Sequence, residues 1–402
     1  MPKSSIVPVL RPATRFVGVA FVLNLVACSS SSDAVQSVPA AGRGGSSATA
    51  SGGSGGSAAG VGGATTAGRA GTSSGNGGAS GAPASDVPLP ALHVEGNSIR
   101  DPNGNSVILR GVDLIDLGAT EQWEGGIKAM IDRLTDPNDA QGSSPGWATR
   151  VLRLAVVPGD AGSGTPVGYV PGIQYYERFL RPTVDYARQK GLYAIIDWHY
   201  VSDTAAHAAT TTAFWQDIAP HFASDTNVLF ELYNEPINSG SWPATKLDMQ
   251  SWYDTVRAAA PDNLVLIGTP NWSQLVGNAA ADPISGTNLV YVAHMYPQHW
   301  QSQSLRDQIT SAAQTVPVFM TEWGFWTSPM DALLNGSITS YGAPLREFIE
   351  ANHLSWSAWC ASSSWAPPMF DKTYALRVGE GEMGGFVKDW LYDRRNGDLP
   401  TE

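Results

Sequence analysis

The sequence predicts a (β/α)8 barrel, a TIM-type α/β fold, with a short N-terminal β-hairpin. Three observations carry that prediction. Eight short apolar runs rich in β-branched residues recur beyond residue 100. Their midpoints lie 26 to 44 residues apart, room each time for a strand, a helix and two loops. Helical patterns with recognisable stops fill the gaps.

The elements follow in order. Leu92 to Val112 reads as short strands broken by Gly96-Asn97 and Asn103-Gly104, the residues that tight turns favour. The eight runs are Val107–Val112, Val151–Val156, Tyr193–Asp197, Val228–Leu232, Leu264–Ile267, Leu289–His294, Val316–Thr321 and Ser355–Trp359. Near-continuous apolar character suits parallel strands buried on both faces. Between them, Tyr175–Lys190 is helical up to a Gly191 stop, and Ala244–Ala259 is helical up to Pro261. A doubly wound open sheet is the alternative. It would call for a glycine-rich turn after an early strand, whereas the first run leads into Gly111-Val112-Asp113-Leu114-Ile115-Asp116.

The chain divides by composition into residues 1–27, 28–85 and 86–402. Lys3, Arg11 and Arg15 precede the apolar stretch Phe16–Ala27, which at 12 residues is too short for a permanent membrane span. It reads as an export signal. Its end, Leu25-Val26-Ala27-Cys28, resembles the bacterial lipobox, which implies lipidation of Cys28. From there to Ser85 the chain is mostly Gly, Ser, Ala and Thr, with 16 glycines among the 45 residues from Ala41. Such a segment buries too little surface to offset its ordering entropy and is expected to act as a tether. As a coil of about 57 residues it would span roughly 40 Å. The expected location is therefore outside the cell, lipid-anchored to the envelope (the outer membrane where there is one) or extracellular.

Charge and cysteine content exclude other classes. Residues 1–85 hold five basic side chains and one acid, Asp33, out of 24 and 36 in the chain. The rest thus has 19 basic and 35 acidic groups, a net charge of −16. With no basic stripe to offset it, that balance argues against a nucleic-acid partner. Cys28 and Cys360 are the only cysteines, too few for a disulfide framework or a cysteine-type zinc site. Cys360 is expected to be a buried apolar residue.

In a barrel of this kind chemistry sits at the C-terminal strand ends. Two carboxylates stand there, Glu235 after the fourth run and Glu322 after the seventh. A pair of carboxyl groups facing a cleft is what glycosidic cleavage requires: one protonates the leaving oxygen, the other attacks or activates water. All 14 tryptophans lie in the globular body. Trp198, Trp272, Trp300, Trp323, Trp326, Trp359 and Trp365 fall at strand ends or beyond, where indoles could stack on sugar rings.

The set of strand-end residues resembles glycoside hydrolase family 5, the retaining β-glycanases that include many cellulases and β-mannanases. The resemblance covers Leu92 to Tyr392. It places the acid/base on Glu235 of Asn234-Glu235-Pro236 and the nucleophile on Glu322 of Thr321-Glu322-Trp323-Gly324. It further implies substrate-binding or supporting roles for Arg153, His199, Asn234, His294, Tyr296 and Trp359. Arg153 would favour ionised Glu322, Tyr296 would donate to it, Asn234 would bond the sugar 2-hydroxyl, and Trp359 would floor the reacting sugar. The Gly268-Thr269-Pro270-Asn271-Trp272-Ser273-Gln274 stretch resembles endoglucanase members and adds Trp272 as a binding residue. The loops Pro158–Pro171 and Cys360–Phe370 depart from the cellulase pattern, which keeps mannan and mixed-linkage glucan as alternatives.

The expected activity is retaining endo-hydrolysis of a β-1,4-linked polysaccharide, cellulose or β-glucan first, by a monomer needing no cofactor and no metal. Membrane contact is expected through the lipid anchor alone. A metal-dependent barrel hydrolase would want His-x-His at the first strand end, where Gly111-Val112-Asp113 stands. A non-catalytic polysaccharide-binding protein would not need both glutamates.

Overall fold

The computed structural model describes residues 89–159, 168–170, 175–238 and 241–401. The export signal, Cys28, the glycine-rich tether and most of the Pro158–Pro171 loop lie outside the described residues.

Two short antiparallel strands, β1 (His93–Glu95) and β2 (Ser98–Arg100), open the fold. Gly96 turns between them with φ of +61°, the left-handed conformation that a two-residue hairpin demands at that position. The barrel strands are β3 (Arg110–Leu114), β4 (Val151–Val156), β5 (Tyr193–Trp198), β7 (Val228–Glu231), β9 (Val265–Ile267), β10 (Leu289–Met295), β11 (Val318–Trp323) and β12 (Ser355–Ala358). They close in chain order, every neighbouring pair parallel, with β12 against β3. Two bridging segments, β6 (Val201–Ser202) and β8 (Glu235–Pro236), pair beyond the strand ends. The expected helices form at Arg181–Gln189, after a π-helical turn at Tyr176–Leu180, and at Trp242–Ala259. No helix among the described residues is long and apolar enough to cross a membrane.

Strand alternation sorts the side chains into two cores. Leu152, Leu154, Val156, Ala194, Ile196 and Phe230 face the helices. Val151, Ile195, Leu229, Leu266, Val290, Val292 and Phe319 fill the barrel, and Leu92, Ile99, Val107 and Leu109 join them. The hairpin therefore plugs the lower end of the barrel. This corrects the first run: Val107 bonds Ile99 of the hairpin, and the barrel strand starts only at Arg110.

Continuing the inward alternation upward gives Asp113, Arg153, Asp197 and Glu231, all fully buried. A charged layer thus rests directly on the apolar filling.

Candidate active site

Arg153 organises the charged layer. Its Nε and Nη2 meet the two oxygens of Glu231 at 2.7 and 3.0 Å, and Nη1 reaches Glu322 Oε1 at 2.8 Å. Nη2 also meets Asp197 at 3.0 Å and Asn234 Oδ1 at 2.6 Å, while Asp113 lies 3.5 Å from Nη1. One guanidinium therefore faces four buried acids. Burial pushes the Asp197 carboxyl up to about 7, with Arg153 opposing, and holds Asp113 well above the usual carboxylate range.

Glu235 does not stand at the end of a barrel strand. β7 stops at Glu231, and the chain runs on in pairing with the segment after β5. Asn234 N–H donates to Trp198 O at 3.1 Å and Glu235 N–H to Tyr200 O at 2.9 Å. Gly268 lets the chain after β9 approach this segment, since a Cβ there would lie 2.2 Å from Tyr233 O. Asn271, Trp272 and Ser273 follow with φ of 59°, 57° and 54°, a left-handed run that costs roughly 1–2 kcal/mol per residue. The strained turn aims Ser273 Oγ at Asn234 O, 2.7 Å away, and so braces the Asn234-Glu235 backbone.

Glu322 is positioned by a bulge. His294 of β10 pairs with Glu322 although Ala293 pairs with Met320, so Thr321 is an extra residue in β11. Thr321 and Glu322 both reach groups at the barrel mouth as a result. Tyr296 donates to Glu322 Oε2 at 2.8 Å, completing its shell opposite Arg153. His294 Nδ1 lies 2.8 Å from Glu235 Oε1, and its Nε2 lies 3.0 Å from Thr321 Oγ1. Burial pushes the Glu235 carboxyl up to about 7 against His199 and Arg153, and it holds His294 down at about 4. His199 Nδ1 meets Asp197 at 2.6 Å, and its ring stacks on Trp359 at 5.1 Å and 5°. Asp197 thus holds two side chains, His199 and Arg153.

The sequence-predicted residues Arg153, Asn234, Glu235, His294, Tyr296 and Glu322 converge here, with His199 and Trp359 as one stacked wall. Trp365 packs edge-on against Trp359 at 6.1 Å and is half-buried, as are Trp272 and Trp326. Three other aromatics are corrected. Trp198 stacks on Phe214 at 3.9 Å, Trp323 packs on Trp356 and Trp390, and Trp300 packs on Tyr341 and Phe348. Trp198 and Trp323 belong to the outer core and Trp300 lies against it, so none of the three faces the cleft.

Sequence reasoning missed Glu231, Thr321, Ser273 and Glu124. Inward parity with Arg153 was the available signal for Glu231. Glu124 had none: it is buried and accepts from Ser362 Oγ at 2.6 Å, Ser363 N–H at 2.9 Å and Ser364 Oγ at 2.6 Å. It thereby pins the loop that carries Trp365.

Among the described residues, Glu235, His294 and Glu322 are the one trio of acid or histidine side chains able to share a cation, with ligand atoms within 4.8 Å. They are engaged with one another, Arg153 and Tyr296. A carboxyl oxygen from each glutamate thus lies within 4.8 Å of the other across the cleft.

The family model for cellulase, glycosyl hydrolase family 5, matches residues 117–364. The chain belongs to that family. Its relatives include an endoglucanase of Clostridium saccharobutylicum, 29% identical over 304 residues. The match takes in 74% of this chain and 61% of the relative. Endoglucanase MaCel5A of Microbulbifer is 29% identical over 320 residues, 75% of this chain and 58% of its own. The chain therefore spans about three fifths of these curated relatives. Among solved structures, a β-glucanase of Saccharophagus degradans in complex with cellotetraose superposes with a TM-score of 0.65 at 22% identity. That superposition covers 77% of this chain and 94% of the other, and shows the shared barrel.

Proposed function

We propose that this family 5 chain hydrolyses β-1,4-glucan internally with retention of configuration, Glu322 acting as nucleophile and Glu235 as acid and then base. The observation that carries the reading is that one oxygen of each carboxyl group lies within 4.8 Å of the other. Retaining enzymes hold them about 5–5.5 Å apart, whereas inverting ones leave about 6.5–9.5 Å for a water. Endoglucanase relatives support the choice of glucan.

In the first step Glu322 attacks the anomeric carbon while Glu235 gives its proton to the departing oxygen. Arg153 holds Glu322 Oε1 at 2.8 Å, and Tyr296 steadies the oxygen that does not attack. Once Glu322 is esterified its negative charge is gone, and Glu235, now ionised, takes a proton from water. Asn234 accepts from Arg153 through Oδ1, which leaves its amide N–H groups for the sugar 2-hydroxyl. Trp359 and His199 form the wall beneath the reacting ring. The cleavable signal with Cys28, and the tether after it, support export and lipid anchoring, which would hold the barrel off the membrane.

The test is reducing-end release by the full chain on soluble β-1,4-glucan. Release supports the reading; activity on mannan or xylan alone would reassign the substrate, and a folded chain inert on all three would leave a binding protein. Because Glu235 must start protonated, kcat/KM is expected to fall as pH rises through about 7. A profile flat to pH about 9 would remove Glu235 as acid. Glu235→Ala is expected to lose far less rate on substrates with acidic leaving groups, which need no proton. Equal loss on good and poor leaving groups would count against the assignment.

A further inference from the structure

Thr321 and Glu231 have no part in the steps above, yet Thr321 reaches the histidine that holds Glu235, and Glu231 reaches it through Thr321. Both oxygens of Glu231 accept from Arg153, and this bidentate pairing favours the carboxylate, with no hydrogen to give, against the burial that raises it. The Thr321 hydroxyl, 3.1 Å from Glu231 Oε1, is therefore the donor in that contact. With its one hydrogen committed, Thr321 Oγ1 accepts from its other neighbour, His294 Nε2. His294 thus carries a hydrogen on Nε2. Buried as it is, the ring is neutral near pH 7, which leaves Nδ1 bare. The partner of Nδ1 is Glu235 Oε1, 2.8 Å away, and only a protonated carboxyl can donate there.

We propose that Glu231 and Thr321 are positioning residues that fix His294 in its Nε2–H tautomer, so that Nδ1 holds the acid hydrogen on Glu235. The inference rests on the reading of Glu235 as the acid. The opposite tautomer would point an N–H at Glu235 and favour its carboxylate instead. Other groups also face this pair. Arg153 from β4 and His199 after β5 pull Glu235 toward ionisation, and Asp197 from β5 pushes the other way. Glu231 from β7 and Glu322 from β11 act on His294 by charge, while Asp113 from β3 and Tyr296 after β10 bear on Glu322. Among these, only the Thr321 hydroxyl selects which ring nitrogen keeps the hydrogen, and it can do so because the β11 bulge brings it alongside Glu322.

The test is ¹⁵N NMR of the full chain labelled at histidine, with the His294 signals assigned by their loss in His294→Asn. The expected spectrum shows Nε2 protonated and Nδ1 bare; a proton on Nδ1 overturns the proposal without any variant. Thr321→Val keeps the shape and removes the hydroxyl. It is expected to populate the Nδ1–H form and to move the alkaline limb of kcat/KM down by about one pH unit, with Thr321→Ser restoring both. A limb and tautomer unchanged in Thr321→Val overturn the proposal. If the wild type cleaves no β-glycan at any pH, the functional reading fails, while the NMR result still decides the tautomer.

Discussion

Replacement of Glu322 by alanine is expected to abolish hydrolysis and leave the fold as stable as the wild type. The rate should fall on the order of 10⁴-fold or more, because the group that attacks the anomeric carbon is gone. The stability expectation departs from the usual rule, in which removing one partner of a buried ion pair costs about 3–5 kcal/mol through the charge left behind. Here Arg153 keeps Glu231 at 2.7 Å, Asp197 at 3.0 Å and Asp113 at 3.5 Å. Three acids remain for one guanidinium, so no cation is stranded. One carboxylate fewer also relieves repulsion within the layer. The measurements are reducing-end release and the thermal unfolding midpoint of both proteins. A rate within tenfold of wild type would remove Glu322 as nucleophile. A midpoint lower by many degrees would show that the charge layer is tuned to all four acids.

Much of the barrel was legible because parallel strands buried on both faces must be apolar along their length, and helices must fill the distance between them. The same property hid the register. Val107–Leu109 is as apolar as a barrel strand but closes the floor beside the hairpin, since the barrel interior needs a plug and the first run supplies it. Tryptophans at strand ends misled for a related reason. Trp198 and Trp323 end their strands as expected, yet alternation turns them outward, and only Trp359 and residues on loops are free to face substrate. The site was readable where one residue type has one chemical use there, as for Glu235, Glu322 and Arg153. It was not readable where position depends on backbone irregularity. Nothing in Thr321-Glu322 announces a bulge, and nothing in Asn271-Trp272-Ser273 announces three left-handed residues. Glu124 depends on contacts 238 to 240 residues distant.

Substituting Arg153 by methionine should be the most damaging single change in the molecule. Methionine replaces the stem of arginine with similar apolar bulk, so the cavity is small and the effect is chiefly electrostatic. Asp113, Asp197, Glu231 and Glu322 would then share a buried site with no cation. The expected loss is about 3–5 kcal/mol, together with loss of activity, because Glu322 loses the guanidinium that positions its Oε1 at 2.8 Å. The direction of the pH dependence follows from the acids. Asp197 already sits near 7 and Asp113 well above its ordinary value with Arg153 present; without it both, and Glu231, move higher. A carboxyl whose folded value lies above its unfolded value of about 4 binds extra protons when folded. Its contribution is fully present below pH about 4 and is lost as pH rises through the folded value. The gap in unfolding midpoint between wild type and Arg153→Met should therefore be narrow at about pH 5 and wide at about pH 8. A gap that is constant, or that narrows with rising pH, would mean that Arg153 supports the barrel through packing and that the four acids are not held by its charge.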